Sequence, residues 1–279
     1  EQQPERRADD LVALSITDYL TVRAGDPALK VRTVVENTAR DHRLRVLFPS
    51  DIDADEYWSD QPFAWVQRPV ATDPRSEDYK EPDPVERPSH TVFAIAGEEG
   101  GLAVLCPEGL HEHAVHQDTR RTMALTLFRA IGRTPRTDGE PGPQVLGTME
   151  FQYALLPFTG ELPRGQIQRR VQEMQAGIYW HLTEEAPREP RSFLTVSAPA
   201  SVSVTSVKPA MRGSAFIVRL WNCGEKARQA RVAPAADVAA ASLCDLKEDH
   251  IDDLRVEEDG VAVDVPAHGL ATVRIETAG

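Results

Sequence analysis

Long apolar runs are missing from this 279-residue sequence. None approaches the ~20 residues that a membrane-spanning helix needs, so no membrane partner is expected. Basic charge is scarce as well. Against 44 acidic residues stand 31 basic ones, a formal net charge of -13, and no local basic stripe reverses the sign. A phosphate backbone would be repelled, which excludes nucleic acid as an expected partner. Cysteine is limited to Cys106, Cys223 and Cys244. They are widely spaced, odd in number and in no C-x-x-C pair, so they fit neither a zinc site nor a disulfide framework, and a reducing cytoplasm is expected. The opening EQQPERRADD has no initiator Met and no charged segment leading into an apolar one. It reads as a processed or cut piece without an export signal. The nucleophile motifs are absent too: there is no G-x-S-x-G elbow, no phosphate-cradling glycine loop and no Cys with a His partner in sequence. A glycosidase acid/base pair among 44 carboxylates is diagnosed only by separation in space, so the sequence selects none.

What is present is a globular composition, 41% hydrophobic and 27% charged, on a chain long enough to bury roughly 70–75% of its unfolded surface. The 21 prolines and 17 glycines punctuate short runs of Val, Ile, Thr, Leu and Phe, which predicts an all-β protein. Val31, Thr33 and Val35 alternate with Arg32, Val34 and Glu36, and Leu44, Val46 and Phe48 line one face of a following strand. These two segments predict a hairpin around a polar turn at 37–42. Residues 68–90 carry five prolines and many charges, so they predict a long surface connection. Strands resume at TVFAIAG, GLAVLC, LHEHAV and MALTLFRAI. Ile167, Val171, Met174 and Ile178 recur at the spacing of one buried helical stripe. Composition becomes more regular near residue 200, so domains are expected at 10–199 and 200–279. The second is expected to be a smaller β-sandwich, with hairpins at Cys223–Gly224 and at the Asp259–Gly260 pair.

Three constellations invite chemistry. His111, Glu112 and His113 form a His-x-His pair whose imidazoles would share a strand face at metal-ligand distance. His116 falls on the other face, and exposed strand histidines are common, so no metal site is assigned. His250, Ile251 and Asp252 lie in the charge-rich DLKEDHIDDL, which reads as a solvated loop. Tyr57, Trp58, Phe63 and Trp65 cluster beside Asp60 and Arg68, a mixture suited to stacking on sugar rings and bonding their hydroxyls. Aromatic packing beneath a surface loop is the competing and favoured account.

The order of several segments carries a resemblance. DHRLRVLFP at 41–49, RP at 87–88 before HTVFAI, MALTLFRAIG at 123–132, PGPQVLG and MEFQYALLPFTG at 141–160, FIVRLWN at 216–222 and VDVPAHGLATVRI at 263–275 together resemble the C-terminal region of glycoside hydrolase family 38, the α-mannosidases. The likeness runs from about Ser15 to Ile275 and is nearest the bacterial branch of mannosylglycerate hydrolase-like enzymes. It implies a large antiparallel super-sandwich of the galactose mutarotase type followed by a smaller sandwich. In that family a separate N-terminal α/β barrel holds zinc through His and Asp residues and supplies the retaining Asp nucleophile. The resemblance therefore implies no catalytic residue, metal ligand or cofactor in this chain, with zinc belonging to the barrel. It implies a non-catalytic region that supports the barrel, helps complete a cleft for a mannose-containing saccharide and is inactive alone. Asp60 and Arg68 resemble the residues that the large sandwich lends to that cleft. An autonomous carbohydrate-binding module, or a structural domain mediating homo-oligomer contacts, are the alternatives.

In ENTARDHRLRVLFPS, Arg43 and Arg45 share one strand face opposite Leu44 and Val46, with Asp41 placed to pair with either. This charged stretch is expected to be structural, fixing sheet register or docking on the barrel.

Overall fold

The computed structural model describes residues 11–110, 112–132, 142–180, 182–183, 189 and 191–278. The chain divides into two compact units, Glu1–Asp60 with Val66–Leu162, and Gln61–Trp65 with Pro163–Gly279. Every strand pair described in either unit is antiparallel. Among the described residues no helix is long and apolar enough to cross a membrane.

The first unit is a large sandwich. Its strands are β1 (Ser15–Thr21), β2 (Leu29–Asn37), β3 (His42–Phe48), β4 (Glu56–Gln61), β5 (Ala64–Pro69), β6 (Arg87–Pro88), β7 (Val92–Ala96), β8 (Gly100–Leu105), β9 (Glu112–Val115), β10 (Met123–Ala130) and β11 (Gly147–Thr159). They form a seven-stranded sheet in the order β1-β2-β11-β8-β7-β4-β5 and a four-stranded sheet in the order β3-β10-β9-β6. Between them lies a core of Val31, Val35, Phe93, Ile95, Val104, Val115, Met123 and Leu125. Val31, Thr33 and Val35 are buried as their alternation predicts, while Glu36 is exposed.

The predicted hairpin at 31–48 does not form. Both strands exist, but β2 is flanked by β1 and β11, and β3 pairs with β10 in the other sheet. Side chains from far along the chain fix the crossing. Asp41 adopts φ 53°, its N–H donates to Gln144 Oε1 at 2.9 Å, and its Oδ1 accepts from Gly132 N at 2.6 Å and Gln144 Nε2 at 2.9 Å. Asn37 Nδ2 donates to Val145 O at 2.9 Å. Of the connection expected at 68–90, Arg68 and Pro69 end β5 and Arg87–Pro88 form the short strand β6, while 70–86 is irregular apart from one 3₁₀ turn at Pro74–Asp78.

The second unit opens with α1 (Arg164–Ala176), followed by β12 (Leu194–Ser197), β13 (Val202–Pro209), β14 (Phe216–Asn222), β15 (Arg228–Pro234), β16 (Val238–Cys244), β17 (His250–Leu254), β18 (Val256–Glu257), β19 (Gly260–Val265) and β20 (Leu270–Thr277). Its sheets run β12-β15-β19-β18 and β13-β14-β20-β16-β17 around Val218, Leu220, Val232, Val261, Val263, Val273 and Ile275. The unit boundary falls between Leu162 and Pro163. The helix sets it: Ile167 and Val171 are buried, and Gln172 Nε2 donates to Val204 O of β13 at 3.0 Å. The stripe ends sooner than its spacing predicts. Gly177 at φ 63° stops the helix, leaving Ile178 outside it and 95% exposed.

FIVRLWN and ARQARV form strands but no hairpin, because β14 and β15 sit in different sheets. The buried Asn222 amide fixes that crossing, donating from Nδ2 to Lys226 O at 2.8 Å and accepting on Oδ1 from Gly224 N at 3.0 Å. The Asp259–Gly260 hairpin does form. Val256 pairs with Val261 and Glu257 with Gly260, so the turn is Glu258–Asp259 and Gly260, at φ 118°, closes it.

A glycine decides how closely α1 approaches its sandwich. A Cβ on Gly165 would lie 1.9 Å from the Ala200 carbonyl oxygen, and backbone cannot step aside cheaply. Gly165→Ala is expected to destabilise the chain by about 1–3 kcal/mol although Ala is the better helix former. A urea midpoint unchanged or raised in that variant would contradict the close packing.

Candidate functional site

The polar residues of the large sandwich gather where β4 and β5 end one sheet and β6 ends the other. Strand alternation turns Tyr57 and Ser59 of β4 inward, and both are buried. Arg68 on β5 follows them, donating from Nε to Ser59 Oγ at 3.1 Å. From the facing sheet, Arg87 of β6 lies opposite His113 of β9, and Arg87 Nη2 donates to Asp83 Oδ1 at 2.5 Å. His113 is only 1% exposed. Its ring stacks on Phe93 at 4.5 Å and meets Tyr57 edge-on at 5.7 Å, and neither ring nitrogen has a partner. Burial, reinforced by the positive charge of Arg68 and Arg87, pushes His113 down to about 3. Burial pushes the Tyr57 phenol up, against the pull of the same two arginines.

Asp60 has a different task from the one its neighbours suggest. It is 1% exposed, and its Oδ1 accepts from the backbone N–H of His90, Thr91 and Val92 at 3.0, 2.7 and 2.8 Å, while Oδ2 accepts from Thr91 Oγ1 at 2.6 Å. The carboxylate anchors the start of β7 to β4. Arg68 differs: among the described residues no carboxylate lies within ion-pair distance of it, and Ser59 occupies only its Nε. Of the two residues, Arg68 alone keeps donors for a ligand.

The charged stretch at 40–45 is organised otherwise than by Asp41. Arg43 and Arg45 face outward from β3, and Arg43 lies directly across from Arg129 of β10. Two acids, Glu86 and Glu112, serve as counter-ions to these arginines. Arg43 pairs with Glu86 and lies 3.7 Å from Glu112; Arg45 lies 3.6 Å from Glu86; Arg129 reaches Glu112 at 2.7 Å, and Thr126 Oγ1 donates to Glu112 at 2.6 Å. Partial burial opposes ionisation of Glu112, yet Arg129 and Thr126 hold its carboxyl below the usual range. Asp41 touches neither arginine and instead holds the turn described above. The facing like charges of β3 and β10 are the sequence-level signal that counter-ions were needed, but no spacing rule points to Glu86 or Glu112.

The other constellations come apart. His111 lies outside the described residues, and His113 is enclosed by aromatic rings. His250 and Asp252 belong to a strand, β17, and not to a loop; His250 Nε2 contacts Asp253 Oδ1 at 2.9 Å. Tyr57 points inward and Trp58 to the opposite face, while Phe63 sits in the β4–β5 turn at φ 60°. Tyr57 and Trp58 therefore share no stacking face.

Two family models match: Glycosyl hydrolases family 38 C-terminal domain over residues 6–135, and Glycosyl hydrolases family 38 C-terminal beta sandwich domain over residues 201–275. The chain belongs to glycoside hydrolase family 38. It is the family's C-terminal region. A Halalkalibacterium halodurans protein named "Putative mannosylglycerate hydrolase" is 25% identical over 280 residues, covering 98% of this chain and 30% of that protein. The fold matches that of an alpha-mannosidase from Enterococcus faecalis V583, with a TM-score of 0.79, 21% identity and coverage of 97% of this chain and 30% of that one. A second Enterococcus faecalis structure, a protein in the Glycosyl Hydrolase Family 38, gives a TM-score of 0.77 at 21% identity, covering 97% of this chain and 31% of that one. The chain thus spans about 30% of the length of the relatives it matches. Among the described residues no group of three His, Cys, Asp or Glu side chains could hold a metal ion.

Two outcomes test the polar edge. Asp60→Ala strands the backbone N–H groups of Thr91 and Val92 and the Thr91 hydroxyl in the interior, while His90 N keeps the carbonyl of residue 60 at 3.0 Å; at ~1–3 kcal/mol per unsatisfied donor the variant is expected to cost at least about 3 kcal/mol in urea unfolding. For His113, the unfolded chain binds a proton between pH 6.5 and about 3 that the folded chain does not. Its contribution is complete above pH 6.5 and is lost as pH falls, by up to about 1.4 kcal/mol per unit. His113→Leu should flatten the stability–pH profile below 6.5 relative to the parent chain; parallel profiles would contradict a neutral buried imidazole.

Proposed function

We propose that this region is the non-catalytic sandwich portion of an α-mannosidase-like glycoside hydrolase, supporting a catalytic α/β barrel and helping to complete its sugar cleft. The observation that carries the reading is that both matched family models are C-terminal domains, in a chain spanning about 30% of its relatives. The reaction, hydrolysis of an α-mannosidic bond with zinc, belongs to the barrel in this reading. Arg68 is the contact this region offers, since Ser59 fixes its Nε and leaves both Nη groups free to bond a sugar hydroxyl or an acidic aglycone. Asp60 acts one step back, by anchoring the strand beside it. The three cysteines are buried and unpaired, which supports a reducing, cytoplasmic setting.

The isolated chain is expected to give no hydrolysis of p-nitrophenyl α-mannoside above a buffer blank. In the longer polypeptide that carries the barrel, Arg68→Ala is expected to lower kcat/KM by roughly 10–100-fold, about 1.4–2.7 kcal/mol of transition-state stabilisation, with Tm held. Turnover by the isolated chain, or full activity in the Arg68→Ala polypeptide, would remove the reading.

A further inference from the structure

The small sandwich carries a concavity that the preceding reading does not use. It has a volume of about 340 Å³ and lies over β17, β16 and β20, at the lower end of the ~300–1,000 Å³ usual for small-molecule sites. Register builds it. Asp253 of β17 and Arg274 of β20 both lie directly across from Ser242 of β16, and Glu276 lies across from Ala240. Directly paired residues share a face, and the alternating Ala271, Val273 and Ile275 of β20 fill the core. The row Asp253, Ser242, Arg274 therefore stands on the outward face, with Ala240 as part of its floor. Turns complete the rim. Glu248 pairs with Lys208 and accepts from Met211 N at 2.6 Å, and Arg274 Nη1 donates to the Arg212 carbonyl at 3.0 Å, which places both turns at the concavity.

These groups use only part of their bonding capacity among the described residues. Asp253 Oδ1 meets His250 Nε2 at 2.9 Å, and Glu276 Oε1 lies 3.4 Å from Arg274 Nη2. That leaves Asp253 Oδ2 and Glu276 Oε2 as acceptors. Arg274 Nε and the Arg212 guanidinium remain as donors, and Ser242 Oγ, whose sole contact is Cys244 Sγ at 3.7 Å, can act as either. Glu248, Asp253 and Glu276 stand against Arg212 and Arg274, so neither a simple anion nor a simple cation gains from the whole set. No Phe, Tyr or Trp side chain lines it, so a flat apolar ligand gains little. A neutral ligand bearing adjacent hydroxyls uses both signs at once, because each hydroxyl donates to a carboxylate and accepts from a guanidinium in charge-assisted bonds.

We propose that this outward face of the small sandwich is a binding site for a neutral polyhydroxylated ligand, a single saccharide residue. The site is independent of the barrel and of Arg68. Its openness to water sets a weak affinity, in the millimolar range.

The test is a titration of the whole chain with D-mannose and with D-glucose, followed by amide shifts in ¹H–¹⁵N NMR, with sodium acetate and methylammonium chloride as simple-ion probes. Saturable shifts at Ser242, Asp253 and Arg274 with a sugar, and none with either ion, are expected. Arg274→Ala should weaken them at least 10-fold. Ser242→Leu, which fills the concavity without altering its charges, should do the same and decides the matter if the arginine variant fails to fold. No sugar response up to about 100 mM, a response to acetate or methylammonium as strong as to sugar, or sugar binding unchanged in Ser242→Leu would overturn the proposal. None of these results bears on whether Arg68 serves the barrel, which the kcat/KM measurement reads separately.

Discussion

A strand has two faces, and in a two-layer sandwich only one of them can be apolar. That constraint places the exposed charged groups of both sandwiches. Leu44, Val46 and Phe48 turn into the large core, so Arg43 and Arg45 must turn out; Ala271, Val273 and Ile275 fill the small core, so Arg274 and Glu276 stand outside. His113 and Glu112 are neighbours in sequence with opposite fates. One is sealed between rings, and the other gathers arginines in partial contact with water. The charged stretch at 40–45 is thus the solvent side of a core strand, met there by acids from two other segments.

Alternation is also what made the fold legible. Val31, Thr33 and Val35, the run TVFAIAG and the segment MEFQYALLPFTG all became strands because burying one face of each outweighs any local competitor. Pairing was not legible. β2 with β3, and β14 with β15, look like hairpins because nearby segments usually pair, yet both couples divide between sheets. The cause is long-range: Asp41 is held by Gln144 and Gly132, and Asn222 by Lys226 and the 265–266 carbonyls. Asp and Asn at a turn signal a bend, but not whether the chain bends within a sheet or steps to the next. The order of motifs read the family correctly, because many short matches in sequence order constrain topology more than any one of them does.

The sites were less legible, for an electrostatic reason. Asp60 beside Arg68 reads as a pair of side chains for bonding a sugar's hydroxyls. A buried carboxylate, however, can be stabilised by backbone N–H groups as well as by a cation, and three consecutive amides at the start of β7 supply that. Nothing at positions 90–92 marks them as donors, since every non-proline residue has an N–H. The row Asp253, Ser242, Arg274 was hidden for a similar reason: its members are 11 and 32 residues from Ser242 in sequence and meet only through register.

Satisfying Asp60 with the backbone has a consequence for Arg68. Had the two formed an ion pair, the guanidinium would be neutralised and its planar donor fork occupied. Because the carboxylate is bonded elsewhere, Arg68 keeps its charge and is oriented through one nitrogen by a buried serine. A donor fixed at Nε and open at both Nη groups gives directional bonds at a lower entropic cost than a free lysine. The neighbouring imidazole strengthens that arrangement. A protonated His113 would add a third positive charge beside Arg68 and Arg87, whereas burial keeps it neutral and leaves the local field to two arginines, one of them already paired with Asp83. Among the described residues, Arg68 thus stands at the edge of the large sandwich as a cation positioned by a serine and with no carboxylate within ion-pair distance.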